Sequence, residues 1–222
     1  MLSEISNTFL LVYAALFPIV NPIGSAPVFL SLTRHYDAAT RHRLAARVAL
    51  NGFLLLLGSL FVGSHILDFF GITLPIVRIA GGCVVSAMAW QLLREGAAGA
   101  EQKHMPAEAA VPDPLQQAFY PLTMPLTVGP GSIATAITLG SQRPEVVQTA
   151  GHLATLAGAA LAAMAAIALT IHLSYRFADR IELLLGKNGI NVLIRLSAFI
   201  LLCIGFQIIW SGYSSLVAGP RA

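Results

Sequence analysis

Charge is what this sequence has least of. Of 222 residues, 10% are charged and 56% are hydrophobic, and the mean hydropathy is +0.76. A soluble globular domain carries about 25% charge, so the composition points away from a water-soluble enzyme and towards a polytopic membrane protein. Acids are scarcer still. All ten Asp and Glu lie outside the expected spans or at their edges, which speaks against a carboxylate proton relay or cation site in the core. The net charge of +3 does not suggest nucleic-acid binding, because the basic residues sit in short loops, where membrane orientation places them. There are two cysteines, Cys83 and Cys203, both in apolar segments. They read as small packing residues, with nothing arguing for a disulfide. Met1-Leu2-Ser3-Glu4 lacks a basic start, and the apolar run continues past any cleavage site, so a retained first helix is expected. No His-Glu-x-x-His or Gly-x-Ser-x-Gly elbow occurs. No enzymatic activity, cofactor or metal is expected.

What is present is apolar length. Six segments suit a spanning helix of about 20 residues: about 6–33, 48–67, 76–93, 119–141, 149–173 and 191–212. The expected architecture is an all-α membrane protein with six transmembrane helices. It divides into a three-helix unit over 1–95, a mobile cytoplasmic linker over 96–118 and a second three-helix unit over 119–222. The connections after spans one, three and five hold Arg34, Arg41, Arg43, Arg47, Arg94, Lys103, Arg176, Arg180 and Lys187, while the other side holds Arg143 and Arg221. The positive-inside rule then places both termini outside.

Two spans are interrupted. Asn21-Pro22-Ile23-Gly24-Ser25-Ala26-Pro27 breaks the first, and Pro125-Leu126-Thr127-Val128-Gly129-Pro130-Gly131-Ser132 breaks the fourth. Each proline removes a backbone donor and crowds the preceding turn. In hydrocarbon such a break survives only where it is buried in protein or lines a cavity. A shift of 107 residues places Pro18 on Pro125, Gly24 on Gly131 and Ser25 on Ser132. Phe70-Gly71 and Leu185-Gly186 each precede the third span of their half. Arg78 and Arg195 each follow just inside it, and Gln91 and Gln207 come near its far end. With three spans per half, the expected plan is two inverted repeats with broken first and fourth helices, a plan that binds substrate where the halves meet.

The second half-helix of each break is expected to start near Ser25 and Ser132, offering N–H groups and partial positive charge. The preceding half-helices offer carbonyls, which suit an ammonium group or a cation. A small zwitterionic solute matches both. The candidate substrate-binding residues are Asn21, Gly24, Ser25, Thr127, Gly129, Gly131 and Ser132, with Thr123 nearby. Glycines at 24, 129 and 131 would let a ligand approach the backbone. Proline kinks also serve packing alone, and serine or threonine often satisfies the freed carbonyls. Arg78 and Arg195 are the charges inside spans. They read either as snorkelling side chains or as a matched pair of gating residues. His152 and His172, near opposite ends of span five, read as structural or interfacial. Gly158, Ala162 and Ala166 give that span a smooth face for close packing, so a homo-oligomer or another protein partner is a competing use.

The run Asn21-Pro22-Ile23-Gly24-Ser25-Ala26-Pro27-Val28-Phe29, followed by Leu32-Thr33, resembles the first-helix signature of the MarC family of bacterial and archaeal inner-membrane proteins. Phe70-Gly71-Ile72-Thr73-Leu74-Pro75 with Arg78-Ile79-Ala80-Gly81-Gly82 resembles its third-helix entry. Pro121-Leu122-Thr123-Met124-Pro125 with Gly129-Pro130-Gly131-Ser132-Ile133 resembles its fourth helix. The resemblance covers nearly the whole chain apart from 96–114. It implies a multi-pass inner-membrane protein of bacterial or archaeal type, and some members of the family are described as transporters of small neutral amino acids. The family's glycine- and proline-rich positions carry over onto Asn21, Gly24, Gly129 and Gly131, and no catalytic residue carries over.

Overall fold

A computed structural model describes residues 2–104, 114–141 and 150–217. Those residues are helical, with no strand among them. Helix α1 is Leu2–Val20, α2 Pro22–Leu32, α3 Ala38–Phe69, α4 Leu74–His104 and α5 Pro114–Gln117. A π-helical segment, Ala118–Thr127, leads to α6 Pro130–Ser141, α7 Ala150–Arg176 and α8 Ala178–Val217. Among the described residues, five helical stretches are long and apolar enough to cross a membrane. A sixth crosses if Leu115–Thr127 and Pro130–Ser141, bent by 72°, form one span.

Several helices outrun the apolar windows that announce them. Asp37 caps α3, accepting the Ala39 N–H at 3.2 Å, so the helix begins at Ala38 and Arg41, Arg43 and Arg47 ride on its first turns instead of in a loop. At 32 residues, α3 is ~48 Å long, against a hydrocarbon core of ~30 Å. Helix α8 likewise starts inside the fifth connection and bends at Gly186, whose φ is 62°. The expected 96–118 linker is partly helical: α4 runs on to His104 and the chain is helical again from Pro114. Positions 105–113, and Arg143 and Arg221, lie outside the described residues.

The two halves interleave. Helix α1 packs on α7, and α3 packs on α6. Helix α2 meets α8, and α4 meets α6, while α3 lies on α7 and α4 on α8. Exchanging the first three spans for the last three maps this set of principal pairings onto itself. Gly71 and Gly186, which precede the third span of each half, share a left-handed φ of 66° and 62°. Few side chains other than glycine's adopt that conformation without strain. The main core lies where α1, α2, α3, α7 and the π segment converge, around Leu16, Phe29, Leu44, Leu56, Leu122, Met164, Ile167 and Ile171.

Helices α4 and α8 meet along a seam of small residues. A Cβ at Gly82 would lie 2.8 Å from Gly205 O, and one at Gly212 would lie 2.7 Å from Pro75 O. Such seams let backbones close up where lipid supplies no hydrophobic drive for association. By contrast, Gly158 of α7 has open space where a Cβ would lie and Ala162 is exposed, so the expected smooth face is not packed within the chain. Cys83 and Cys203 are free and exposed and do not pack in the core. Both sit on outward faces of α4 and α8.

On one face of the bundle the first and fifth connections are tied together. Arg34 pairs with Glu182, and Arg41 pairs with Asp179 at 3.0 Å. Both therefore emerge on the same side, as an even number of spans between them requires.

Candidate functional site

The first break is a single residue. Asn21 donates its N–H to Phe17 O at 2.9 Å, closing α1. It then turns left-handed, with φ 47° and ψ 54°, and caps α2 by accepting the Gly24 N–H on its side chain at 3.3 Å. Asn tolerates that conformation better than other residues with side chains. Pro22 follows at the first helical position, where its missing N–H costs nothing.

The second break is spread over ten residues. Tyr120 and Met124 are extended inside the π segment, with ψ 126° and 122°. Each precedes a proline, and the proline ring disfavours the helical region for the residue before it. Thr123 and Thr127 supply donors in a stretch where Pro121 and Pro125 have none. Their hydroxyls reach back five residues, to Ala118 O at 2.6 Å and Leu122 O at 2.7 Å. Helix α6 then starts with Pro130 at its first position. Both second half-helices thus begin at a proline, three and two residues before the expected Ser25 and Ser132.

The breaks face one cavity of about 500 Å³. Asn21, Gly24, Ser25, Thr127, Gly129, Gly131 and Ser132 all line it, so the structure brings together the seven residues picked from the sequence. The remaining wall is apolar except for Gln91 of α4: it includes Val84, Val85, Met88 and Ala89 of α4, Val20, Val28 and Leu126 from the broken spans, and Leu201 of α8. Among the described residues the lining holds no charged side chain. Two kinds of helix end open onto it. The ends of α1 and the π segment bring Val20, Leu126 and Thr127, and the starts of α2 and α6 bring Gly24, Gly131 and Ser132. Carbonyls of a last turn and N–H groups of a first turn lack intrahelical partners.

Most polar side chains here are committed. Ser25 donates to Asn21 O at 2.8 Å and Ser132 to Gly129 O at 2.8 Å. Both hydroxyls keep lone pairs for an incoming donor. Thr123 is fully buried and turned away, with the Asn51 amide 3.5 Å from its hydroxyl. The glycines divide into two kinds. The place of a side chain at Gly24 is taken by Asn21, and that at Gly131 by Val85. At those two a neighbouring side chain fills the space that a Cβ would need. At Gly129 a Cβ would meet nothing nearer than Pro125 O at 3.5 Å and Met88 Sδ at 3.9 Å, so this is the backbone position left open.

Arg78 and Arg195 have different surroundings. Half-buried Arg78 reaches Thr138 Oγ1 at 3.4 Å and Ser215 Oγ at 3.3 Å, tying α4 to α6 and α8. Arg195 is exposed on α8, and neither arginine lines the cavity. His172 is half-buried, with Nδ1 unpartnered among the described residues. The His152 side chain lies outside them.

Tyr175 is the residue that sequence reasoning missed. It sits near the end of α7, 3% exposed, with its ring stacked on Phe29 at 4.4 Å. Its hydroxyl lies 3.1 Å from Ser25 Oγ and 2.7 Å from Thr127 Oγ1. The available signal was a tyrosine closing an alanine-rich span, since a buried tyrosine hydroxyl needs a partner. That signal does not say where the partner is.

A family model described as MarC family integral membrane protein matches residues 6–217. The chain is 32% identical over 209 residues to the UPF0056 membrane protein YhcE of Escherichia coli (strain K12), an overlap of 93% of this chain and 92% of that protein. It is 30% identical over 205 residues to the UPF0056 membrane protein YvbG of Bacillus subtilis (strain 168), covering 92% and 93%. It is also 30% identical over 205 residues to the UPF0056 inner membrane protein MarC of Citrobacter koseri, covering 91% and 92%. No solved structure matches it.

Proposed function

The chain belongs to the MarC family of integral membrane proteins, and from that premise we propose that it is a secondary transporter of small neutral amino acids or similar zwitterionic solutes. The observation that carries this reading is the shared cavity: two helix breaks, uncharged side chains and both kinds of helix end. First-turn N–H groups at Gly131 and Ser132 suit a carboxylate. Last-turn carbonyls at Leu126 and Thr127, with the lone pairs of Ser132, suit an ammonium. The valine and methionine wall accepts a short apolar side chain. A cavity of about 500 Å³ falls within the ~300–1,000 Å³ common for small-molecule sites.

Alternating access would work by rocking one three-helix repeat against the other about this site, the halves being inverted repeats in the membrane. The pairing pattern that survives exchange of the halves supports that plan. The positive-inside count supports termini on the outer face of a bacterial or archaeal inner membrane, and the two ion pairs that join the basic connections agree with it. With no carboxylate at the cavity, exchange of one solute for another is the simplest cycle.

Counterflow in proteoliposomes, with glycine, alanine, serine and threonine, tests the reading. Accumulation of labelled solute against any one of them supports it, and its absence for all four sinks it. The competing reading, a non-transporting interaction partner, draws on the unpacked Gly158 and Ala162 face of α7. Gly158→Leu would then disrupt an assembly seen by native mass spectrometry while leaving the monomer folded.

A further inference from the structure

Ser25 and Thr127 belong to different halves of the molecule, and each is a buried hydroxyl of its own break: Ser25 7% and Thr127 2% exposed. Both contact one atom, the Tyr175 hydroxyl, at 3.1 and 2.7 Å. Tyr175 stands on α7, which packs along α1, α2 and α3, and its ring is held by Phe29. It neither lines the cavity nor caps a helix.

The chain of contacts runs from Asn21 O through Ser25, Tyr175 and Thr127 to Leu122 O. Its two ends are carbonyls, which only accept. Three hydroxyls lie between them, each with one proton, and there are four contacts to serve. Whichever way Tyr175 donates, one contact lacks a proton. In a buried site an oxygen left facing an oxygen is costly. Asn21 O also accepts from Ser25 N at 3.0 Å. The Ser25 hydroxyl can therefore turn away without stranding that carbonyl. The contact is thus strong enough to register one break against the other, yet has an unsatisfied step that lowers the cost of parting.

We infer that Tyr175 is a positioning residue that latches the two helix breaks to each other through Ser25 and Thr127, and that parting of this latch accompanies opening of the cavity. The inference concerns motion of the breaks and holds whichever solute the cavity takes.

The test uses the full-length protein in liposomes with Cys83 and Cys203 replaced by alanine. Val85→Cys serves as reporter, since Val85 is buried, lines the cavity and packs on Gly131. Its labelling by a water-soluble maleimide measures opening. Tyr175→Phe keeps the ring on Phe29 and removes only the hydroxyl, and the two remaining hydroxyls then each serve one carbonyl. It should speed labelling about fivefold, the change expected from one ordinary hydrogen bond. Thr127→Ala should speed it alike, and the two together should do no more than either. A second reporter, Ala163→Cys, is fully buried on α7 away from the cavity and should label at an unchanged rate. Wild-type labelling in Tyr175→Phe, effects that multiply, or equal acceleration at both reporters would each overturn the latch. Because no transported solute enters this readout, its failure is separate from failure of counterflow.

Discussion

Val85 of α4 occupies the space that a side chain at Gly131 of α6 would need. A glycine beside a candidate site is easily read as room for a ligand. Here the room is taken by the neighbouring span, and the open position is two residues earlier, at Gly129.

The two glycines should therefore separate stability from binding. Gly131→Ala overpacks the α4–α6 contact and should cost ~1–3 kcal/mol, read as a lower melting temperature in detergent. Gly129→Ala projects a methyl towards Met88 with no contact nearer than 3.5 Å. It should melt near the wild-type temperature and weaken solute binding. A Gly131→Ala protein as stable as wild type would refute the packing assignment.

The arginines should behave differently from each other. Arg78 bridges α6 and α8 through Thr138 and Ser215, so Arg78→Met removes two hydrogen bonds to a charged group, worth ~1.5–3 kcal/mol each where buried and less here because Arg78 is half-buried. Arg195→Met on the exposed face of α8 should leave the melting temperature unchanged. Equal losses for the two variants would restore the idea of a symmetric pair.

The ion pairs joining the first and fifth connections make a weak clasp. Arg41 is largely covered while Asp179 is half-exposed, and pairs of this kind contribute ~0.2–1 kcal/mol. Arg41→Ala should lower stability slightly, and the loss should shrink as salt rises. Exchanging the partners, Arg41→Asp with Asp179→Arg, should recover most of it. Cysteines introduced at 34 and 182 should label from the same side of a sealed vesicle, and labelling from opposite sides would refute the six-span path.

The start of α3 should respond to acid. The Thr40 hydroxyl, with help from the Thr40 and Ala39 amides, holds the Asp37 carboxyl below its ordinary value of 3.8. A lowered folded value means that the cap's contribution is present above 3.8 and is lost as pH falls through the folded value. Protection of the Ala39 and Thr40 amides from exchange, relative to the unstructured rate at the same pH, should therefore fall below the ordinary carboxylate range, and Asp37→Asn, which still caps, should remove that dependence.

The breaks were legible because proline and glycine act locally. Pro22, Gly24, Pro125, Pro130 and Gly131 announce lost donors and close approach wherever they sit, and two breaks in corresponding places lead to one cavity. Less legible was what each side chain does there. Ser25 and Ser132 read as helix starts, yet a proline at the first helical position sets the start and leaves the serines bonded to the carbonyl behind. The π segment was hidden because Thr123 and Thr127 repair it from within, and nothing in a hydropathy run distinguishes a five-residue return from a four-residue one. Helix ends such as Asp37 carried a cap signal that an apolar count passes over. Tyr175 was out of reach for a different reason: its partners lie 150 and 48 residues away, and an alanine-rich span has no pattern that says which neighbour it will meet.

One feature separates the halves mechanically. Between α1 and α2 there is no loop, only Asn21. The 11 residues of α2 form a stiff lever ~16 Å long hung on one pair of torsions, and a turn of about 10° there carries its far end by ~3 Å. The other break has no such pivot: deformation is shared along ten π-helical residues and two more before α6. A hinge and a spring do not yield at the same rate under the same load. In the transport cycle proposed above, opening towards one side of the membrane and opening towards the other should therefore have unequal rates, and the cycle would run at the pace of its slower half.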